Sequence, residues 1–336
     1  MKKNTQFEPQ LHFIKKINDV IPPNTSLVHE LSELLNVSID STYRRIRGET
    51  LLTIDEVITL CNYYKISFDT SEVSKAGTVT FGYTRMNEGE TSFKEFLNSI
   101  LQMLTRIKNS KQSLIQYACE DIPVFYSYKY PGLAAFKIFY WMKAIMGNPS
   151  LEQKKFSISQ IPEELIELCT LLAKQYTEIP SVEIWTDTTI QSTLKQIKYF
   201  WETGFFNSKA DALTVCEDLK LAINDTQHQA KIERKFMGQD DIHPTEKNYS
   251  LYFSEIEITN NCVLISMGDA KSVYLGHQSF NTMATTNDLY CKETERWLDQ
   301  IISKSTLISG VSEKTRNQFF NKIFSQIDNL IDKINK

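Results

Sequence analysis

The sequence predicts a mainly α-helical chain in three parts: an N-terminal bundle of short helices, an all-α middle region, and a small C-terminal α/β module with antiparallel strands. Three observations predict it. Apolar residues recur at three-or-four spacing through most of the chain, the signature of amphipathic helices. Residues 249–284 break that spacing with short β-rich runs, YSLYFSEIEI, CVLISMG, SVYLGHQ and FNTMA, separated by the turn dipeptides Asn260-Asn261 and Gly268-Asp269. Only 11 glycines and 9 prolines punctuate 336 residues, so long loops have little material to form from.

In the N-terminal part, Phe13, Ile14, Ile17 and Ile21 mark a first helix that Pro22-Pro23 ends, since proline has no amide donor. A second helix opens at Thr25 or Ser26, carries Leu27, Leu31, Leu34 and Leu35 on one face, and stops near Asn36. Ser38 is placed to cap a third helix, Ile39 to Arg47, which Gly48 can close in the left-handed region. Two short helices across so tight a turn form a helix-turn-helix. Thr53 and Glu56 are spaced as a capping box for a fourth helix, whose Ile54, Val57, Ile58 and Cys61 would close the core with Tyr64, Ile66 and Phe68.

Residues 27–69, with LLNVS at the turn, RRIRGE at the end of the third helix and TIDEVITLCNYYKISFD after it, resemble the lambda-repressor-like (XRE-type) helix-turn-helix regulators of bacteria. Asn36 stands where that pattern has a turn glycine; asparagine tolerates the left-handed region better than most residues. The resemblance implies a DNA-binding bundle whose third helix enters the major groove. Its first turns then bring Ser38, Asp40, Ser41 and Arg44 toward the duplex, with Arg44 reading a guanine through its bidentate fork and Arg45 and Arg47 meeting phosphates. Asp40 either accepts from cytosine N4 or complements the helix dipole. Tyr43 and Ile46 are expected to point into the core.

Beyond a glycine-containing linker at 74–91, Ser92 and Glu95 suggest another capping box, and Phe93, Leu97, Ile100, Leu104 and Ile107 form an apolar stripe. Helices follow at Leu133–Met146, Glu163–Thr177, Thr189–Thr203 and Ser208–Phe236. Two more, Cys291–Ile302 and Ser312–Ile334, close the chain after three or four antiparallel strands. The domain organisation expected is therefore a helix-turn-helix domain at 1–73, the linker, a helical regulatory domain at 92–240 and an α/β regulatory or sensor module at 241–336. The last helix carries Phe320, Phe324, Ile327, Ile331 and Ile334 in heptad spacing, a seam that suits either its own core or a second subunit.

Composition excludes several classes. Six cysteines with no CxxC pair read as reduced thiols in a cytoplasmic protein, without a zinc or disulfide framework. The most apolar stretch, Gly132 to Gly147, is interrupted by Lys137 and Lys143, so no membrane span is expected. No nucleotide-binding, hydrolase or metalloprotease motif occurs, and His243 beside Asp240 and Asp241 reads as a loop group; no enzyme activity and no cofactor are expected. The eight aromatics between Phe125 and Trp141 suit either a packed core or a ligand box. The expected function is sequence-specific regulation of transcription on double-stranded DNA by a homodimer, with a small-molecule or protein effector sensed by the C-terminal region. The net charge of −4, and near-neutral charge over the first 75 residues, keep open a protein-interaction scaffold in which the helix-turn-helix is a docking module.

Overall fold

The computed structural model describes residues 8–21, 25–64, 66, 68, 77–83, 90–238, 247–277 and 281–336. The proline pair at 22–23, most of the expected linker, the Ser92 side chain and His243 with its aspartates lie outside the described residues. Four helices form the N-terminal bundle: α1 (Glu8–Val20), α2 (Leu27–Leu35), α3 (Ile39–Ile46) and α4 (Ile54–Tyr64). They bury Phe13, Ile14, Ile17, Leu31, Leu60, Tyr64 and Ile66 in a core of their own. The Thr53–Glu56 capping box forms in both directions, Thr53 N donating to Glu56 Oε2 at 2.8 Å and Glu56 N to Thr53 Oγ1 at 3.2 Å. Within α4, Val57 and Cys61 pack inward, while Ile54 and Ile58 face outward, one helical step from where the spacing had placed them.

The rest of the chain corrects the expectation of a mainly α protein with an all-α middle and a separate small antiparallel module. It is an α/β structure built on one mixed sheet of eight described strands, in the order β1-β7-β6-β5-β2-β3-β4-β8. The middle of the chain supplies two of the central strands: β2 (Ser113–Cys119) and β3 (Ser181–Trp185) pair in parallel, and β3 pairs in parallel with β4 (Tyr249–Phe253). Between β2 and β3 run α5's successors α6 (Val124–Tyr128), α7 (Pro131–Tyr140) and α8 (Glu163–Thr177), with α5 itself at Glu90–Asn109; between β3 and β4 run α9 (Gln191–Glu202) and α10 (Lys209–Ile232). Parallel neighbours need such long crossovers. Strands β5 (Cys262–Met267), β6 (Ala270–His277) and β7 (Asn281–Thr285) then form an antiparallel meander, with β5 against β2 and β1 (Gly82–Tyr83) on the outer edge. Helix α11 (Asp288–Ser303), β8 (Thr306–Leu307) and α12 (Glu313–Asn335) complete the chain.

Both faces of the sheet are covered, which is why its central strands lack the alternation of a half-exposed strand. One face carries Ile115, Trp185, Leu251 and Ile265 into the main core with α5 to α10 and α12. On the other, Cys291, Leu298 and Ile301 of α11 lie over Ala118, Ile184, Leu264 and Val273. The heptad seam of α12 is engaged inside the molecule: Phe320, Ile327 and Ile334 are buried, and Phe324 and Ile331 pack against the same core. The aromatic run is likewise core, with Phe136 stacked on Phe206 at 5.6 Å and edge-on to Phe200 at 5.3 Å. Lys137, which interrupts α7, is buried but bonds Thr193 Oγ1 at 2.7 Å and Gln196 Oε1 at 2.9 Å, so an apolar helix tolerates its charge.

At the centre of the sheet Glu183 is fully buried and accepts four hydrogen bonds. Tyr126 (2.8 Å) and Tyr176 (2.6 Å) donate to Oε1, and Trp185 Nε1 (2.9 Å) and Tyr249 (3.3 Å) to Oε2. Lys235, also buried, sets its ammonium 3.9 Å from the Tyr176 ring centroid and makes no hydrogen bond through Nζ among the described residues. Burial pushes the Glu183 carboxyl above its ordinary range and holds Lys235 down to about 7, against an ordinary 10.5.

A pH signature follows from Lys235. Between about pH 7 and 10.5 the unfolded chain keeps a proton on this amine that the folded chain has released, so the group makes stability rise with pH across that window. For Lys235→Met the expected difference in unfolding free energy, variant minus parent, is greatest near pH 7 and falls toward pH 10 in urea titrations. A difference that stays flat over this range would reject the assignment.

Candidate nucleic-acid interface

Helices α2 and α3 are joined by residues 36–38, and each junction is fixed by its own backbone geometry. Asn36 adopts φ 51°, ψ 47°, and closes α2 through Asn36 N→Glu33 O (3.2 Å) and Val37 N→Ser32 O (3.1 Å), the paired bonds of a Schellman end. Ser38 caps α3, its hydroxyl accepting from Ser41 N at 3.3 Å. At the other end Gly48, at φ 73°, allows the same closure: Gly48 N→Arg45 O at 3.1 Å and Glu49 N→Arg44 O at 2.8 Å.

One face of α3 is held and the other is exposed. Thr42 is fully buried and Ile46 packs against the bundle core. Arg45, only 13% exposed, pairs with Glu56 (14%) at 2.8 Å and donates to the Ser41 hydroxyl and carbonyl. Glu56 thereby ties α3 to the first turn of α4, and the Arg45 guanidinium helps hold its carboxyl below the ordinary range against the opposing effect of burial. Gln10 of α1, also buried, donates to Arg45 O and Thr50 O at 2.8 Å and accepts from Leu52 N at 2.9 Å, clamping the segment that leaves α3.

The outward face carries Asp40, Tyr43, Arg44 and Arg47 at helical spacing. Arg44 is exposed and its guanidinium makes no hydrogen bond or ion pair among the described residues. Arg47 is held by Glu49 through bonds of 2.7 and 3.1 Å and lies 5.9 Å from the Tyr43 ring centroid; that hydrogen bonding lowers the Glu49 carboxyl and raises the guanidinium. Comparisons with protein-family models, with curated proteins and with solved structures find no match for this chain.

Of the six residues singled out in the sequence, the structure brings Asp40, Arg44 and Arg47 onto one exposed face, with Ser38 at its start. Ser41 and Arg45 are largely withdrawn from it: they are engaged with each other, and Arg45 with Glu56. Tyr43, expected inside, is 45% exposed and belongs with the outward set, while Thr42 takes the inward place. Gln10 escaped sequence reasoning because all its partners lie at least 35 positions away. The Thr53–Glu56 spacing identified Glu56 as a cap, but nothing local announces its second bond to Arg45.

Because one carboxylate serves both the cap and the ion pair, Glu56→Ala is expected to cost about 2–3 kcal/mol of local stability, more than the ~1 kcal/mol of a cap alone. Faster amide exchange in α3 and the first turn of α4, with the sheet unaffected, would show it. Equal exchange in parent and variant would mean that the pair does not hold α3.

Proposed function

We propose that the chain is a cytoplasmic, sequence-specific DNA-binding regulator of transcription whose α2–α3 pair acts as a helix-turn-helix of the lambda-repressor-like kind, working as a homodimer under a C-terminal region that responds to a small molecule or a protein. The observation that carries this reading is the division of α3 into a face locked by Thr42, Ile46 and the Arg45–Glu56 pair and an exposed face presenting Asp40, Tyr43, Arg44 and Arg47. Arg44, with its donors uncommitted, suits bidentate reading of a guanine; Arg47 suits a phosphate once it exchanges Glu49 for it. Arg45 and Ser41 act here as positioning residues. No described helix is long and apolar enough to cross a membrane.

Dimerisation fits a two-fold operator, but the α12 seam is buried in its own core, so pairing uses another surface. A second reading, a module that docks on a protein, is favoured by Leu51, Ile54 and Ile58, all more than half exposed on the same bundle.

Selection of the full-length protein against a random duplex pool at several salt concentrations separates the two readings. An enriched two-fold motif supports the regulator, and absence of binding at low salt supports the docking module. On the enriched site, Arg44→Ala is expected to relax preference at one base pair, by about 1–3 kcal/mol, while Arg47→Ala weakens all sequences alike and reduces the salt slope by about one. If neither substitution alters binding, α3 is not the reading helix.

A further inference from the structure

Helix α1 of the N-terminal bundle is gripped at several places. The corner where β7 ends and α11 begins, Thr285–Tyr290, holds both α1 and the chain segment that leads into β1. Asp288 faces α1: His12 Nε2 lies 2.5 Å from its Oδ2 and Lys16 Nζ 3.6 Å from its Oδ1. Lys16, whose side chain is only 12% exposed, also donates to Thr286 O at 3.1 Å. Thr285 Oγ1 donates to Thr80 O at 2.7 Å, and the rings of Phe81 and Tyr290 meet edge-on at 5.2 Å. Nearby, Lys15 sits 3.5 Å from Asp269 in the β5–β6 turn, and Arg106 of α5 donates to Val20 O at 3.3 Å.

These contacts use one face of α1. His12, Lys15, Lys16 and Asp19 follow helical spacing, and the adjoining face carries Phe13, Ile14 and Ile17 into the bundle core. They also complete a pattern of neutralisation. Of the bundle's five described arginines and lysines all but Arg44 face an acid: Arg45 faces Glu56, Arg47 faces Glu49, Lys15 faces Asp269 and Lys16 faces Asp288; the last two acids belong to the sheet body. A contact made of a few polar groups, most of them partly solvated, is worth little in free energy and is readily exchanged for another anion.

We propose that the β7–α11 corner is an autoinhibitory latch: Asp288, assisted by Asp269, occupies cationic groups of α1 and fixes the bundle's orientation, and release of this contact raises affinity for a polyanionic duplex. The latch rests on the regulator reading for its consequence, not for its existence. Competition by phosphate for Lys15 and Lys16 is the physical drive for release, so bound DNA and the docked corner exclude one another. An effector that moves the corner would act through the same residues.

The test has two parts on the full chain. Spin labels at Thr59→Cys and Ser325→Cys, both exposed, with Cys61→Ser, report the distance between bundle and body without DNA. The parent should give one narrow distribution, Asp288→Lys a broad one, and Lys16→Glu combined with Asp288→Lys a narrow one again. A distribution unchanged by Asp288→Lys would overturn the latch, and a charge swap that fails to narrow it would remove Asp288–Lys16 as its basis. Affinity is then measured on the selected duplex. Asp288→Asn should bind about three- to tenfold tighter with a steeper salt slope, whereas the charge-matched Asp299→Asn, at an exposed site on α11, should stay within about twofold. Equal affinity in parent and Asp288→Asn would overturn autoinhibition. Because the distance measurement contains no DNA, a failure of the regulator reading is seen separately, as the absence of any selected duplex.

Discussion

The fold is organised around the need of one buried carboxylate for donors. Glu183 lies on a central strand with both faces covered, where an unpaired charge would cost several kcal/mol. Its four donors come from α6, α8, its own strand and β4, elements up to 123 positions apart along the chain (Tyr126 to Tyr249). Each crossover must therefore return its helix to the same point of the sheet for the network to close. A hydrophobic residue would pack there with less demand on its neighbours; the carboxylate instead makes the parallel register and the placement of α6 and α8 conditions of one another.

The N-terminal bundle solves a smaller version of the same problem. Its α3 is too short to be stable through its own hydrogen bonds, and it is fixed at both ends by backbone closure and along one side by Glu56 and Gln10. Those two residues convert a marginal helix into a rigid presenter of four side chains. The rigidity has an electrostatic consequence. Arg45 is withdrawn into an ion pair, so the outward charge of α3 is lower than three neighbouring arginines suggest, and the near-neutral bundle reflects local pairing more than an absence of cations.

What could be read from the sequence depended on how local its cause was. Caps, turns and helix spacing act within a few residues, so Asn36, Ser38, Gly48, the Thr53–Glu56 box, the helix at 163–177, the start of the helix expected at 208–236, which ends at Ile232, and the strands of the antiparallel meander were all legible. Strands β2 and β3 were not. Each is short, lies among long helical stretches and carries a buried polar residue, Gln116 or Glu183, so neither shows the alternation or the unbroken apolar run that marks a strand. The same cause explains the site: Arg44 and Asp40 lie where helical spacing puts them, whereas the inward turn of Arg45 and the outward turn of Tyr43 depend on Glu56 and on Thr42 filling the gap beneath α3.

Helix α1 is where these two levels meet. It packs Phe13, Ile14 and Ile17 into the bundle, sends Gln10 to the end of α3, and turns His12, Lys15 and Lys16 to the acids of the sheet body. A helix used on both sides cannot shift toward one without altering the other: displacement from the corner moves the element that sets the exit of α3. Gln10 bonds to Arg45 O, Thr50 O and Leu52 N, so a movement of α1 by even a fraction of a hydrogen-bond length is felt directly at the segment following α3. The coupling between body and bundle therefore needs no long relay, because one helix touches both the corner and the presenter of the outward face.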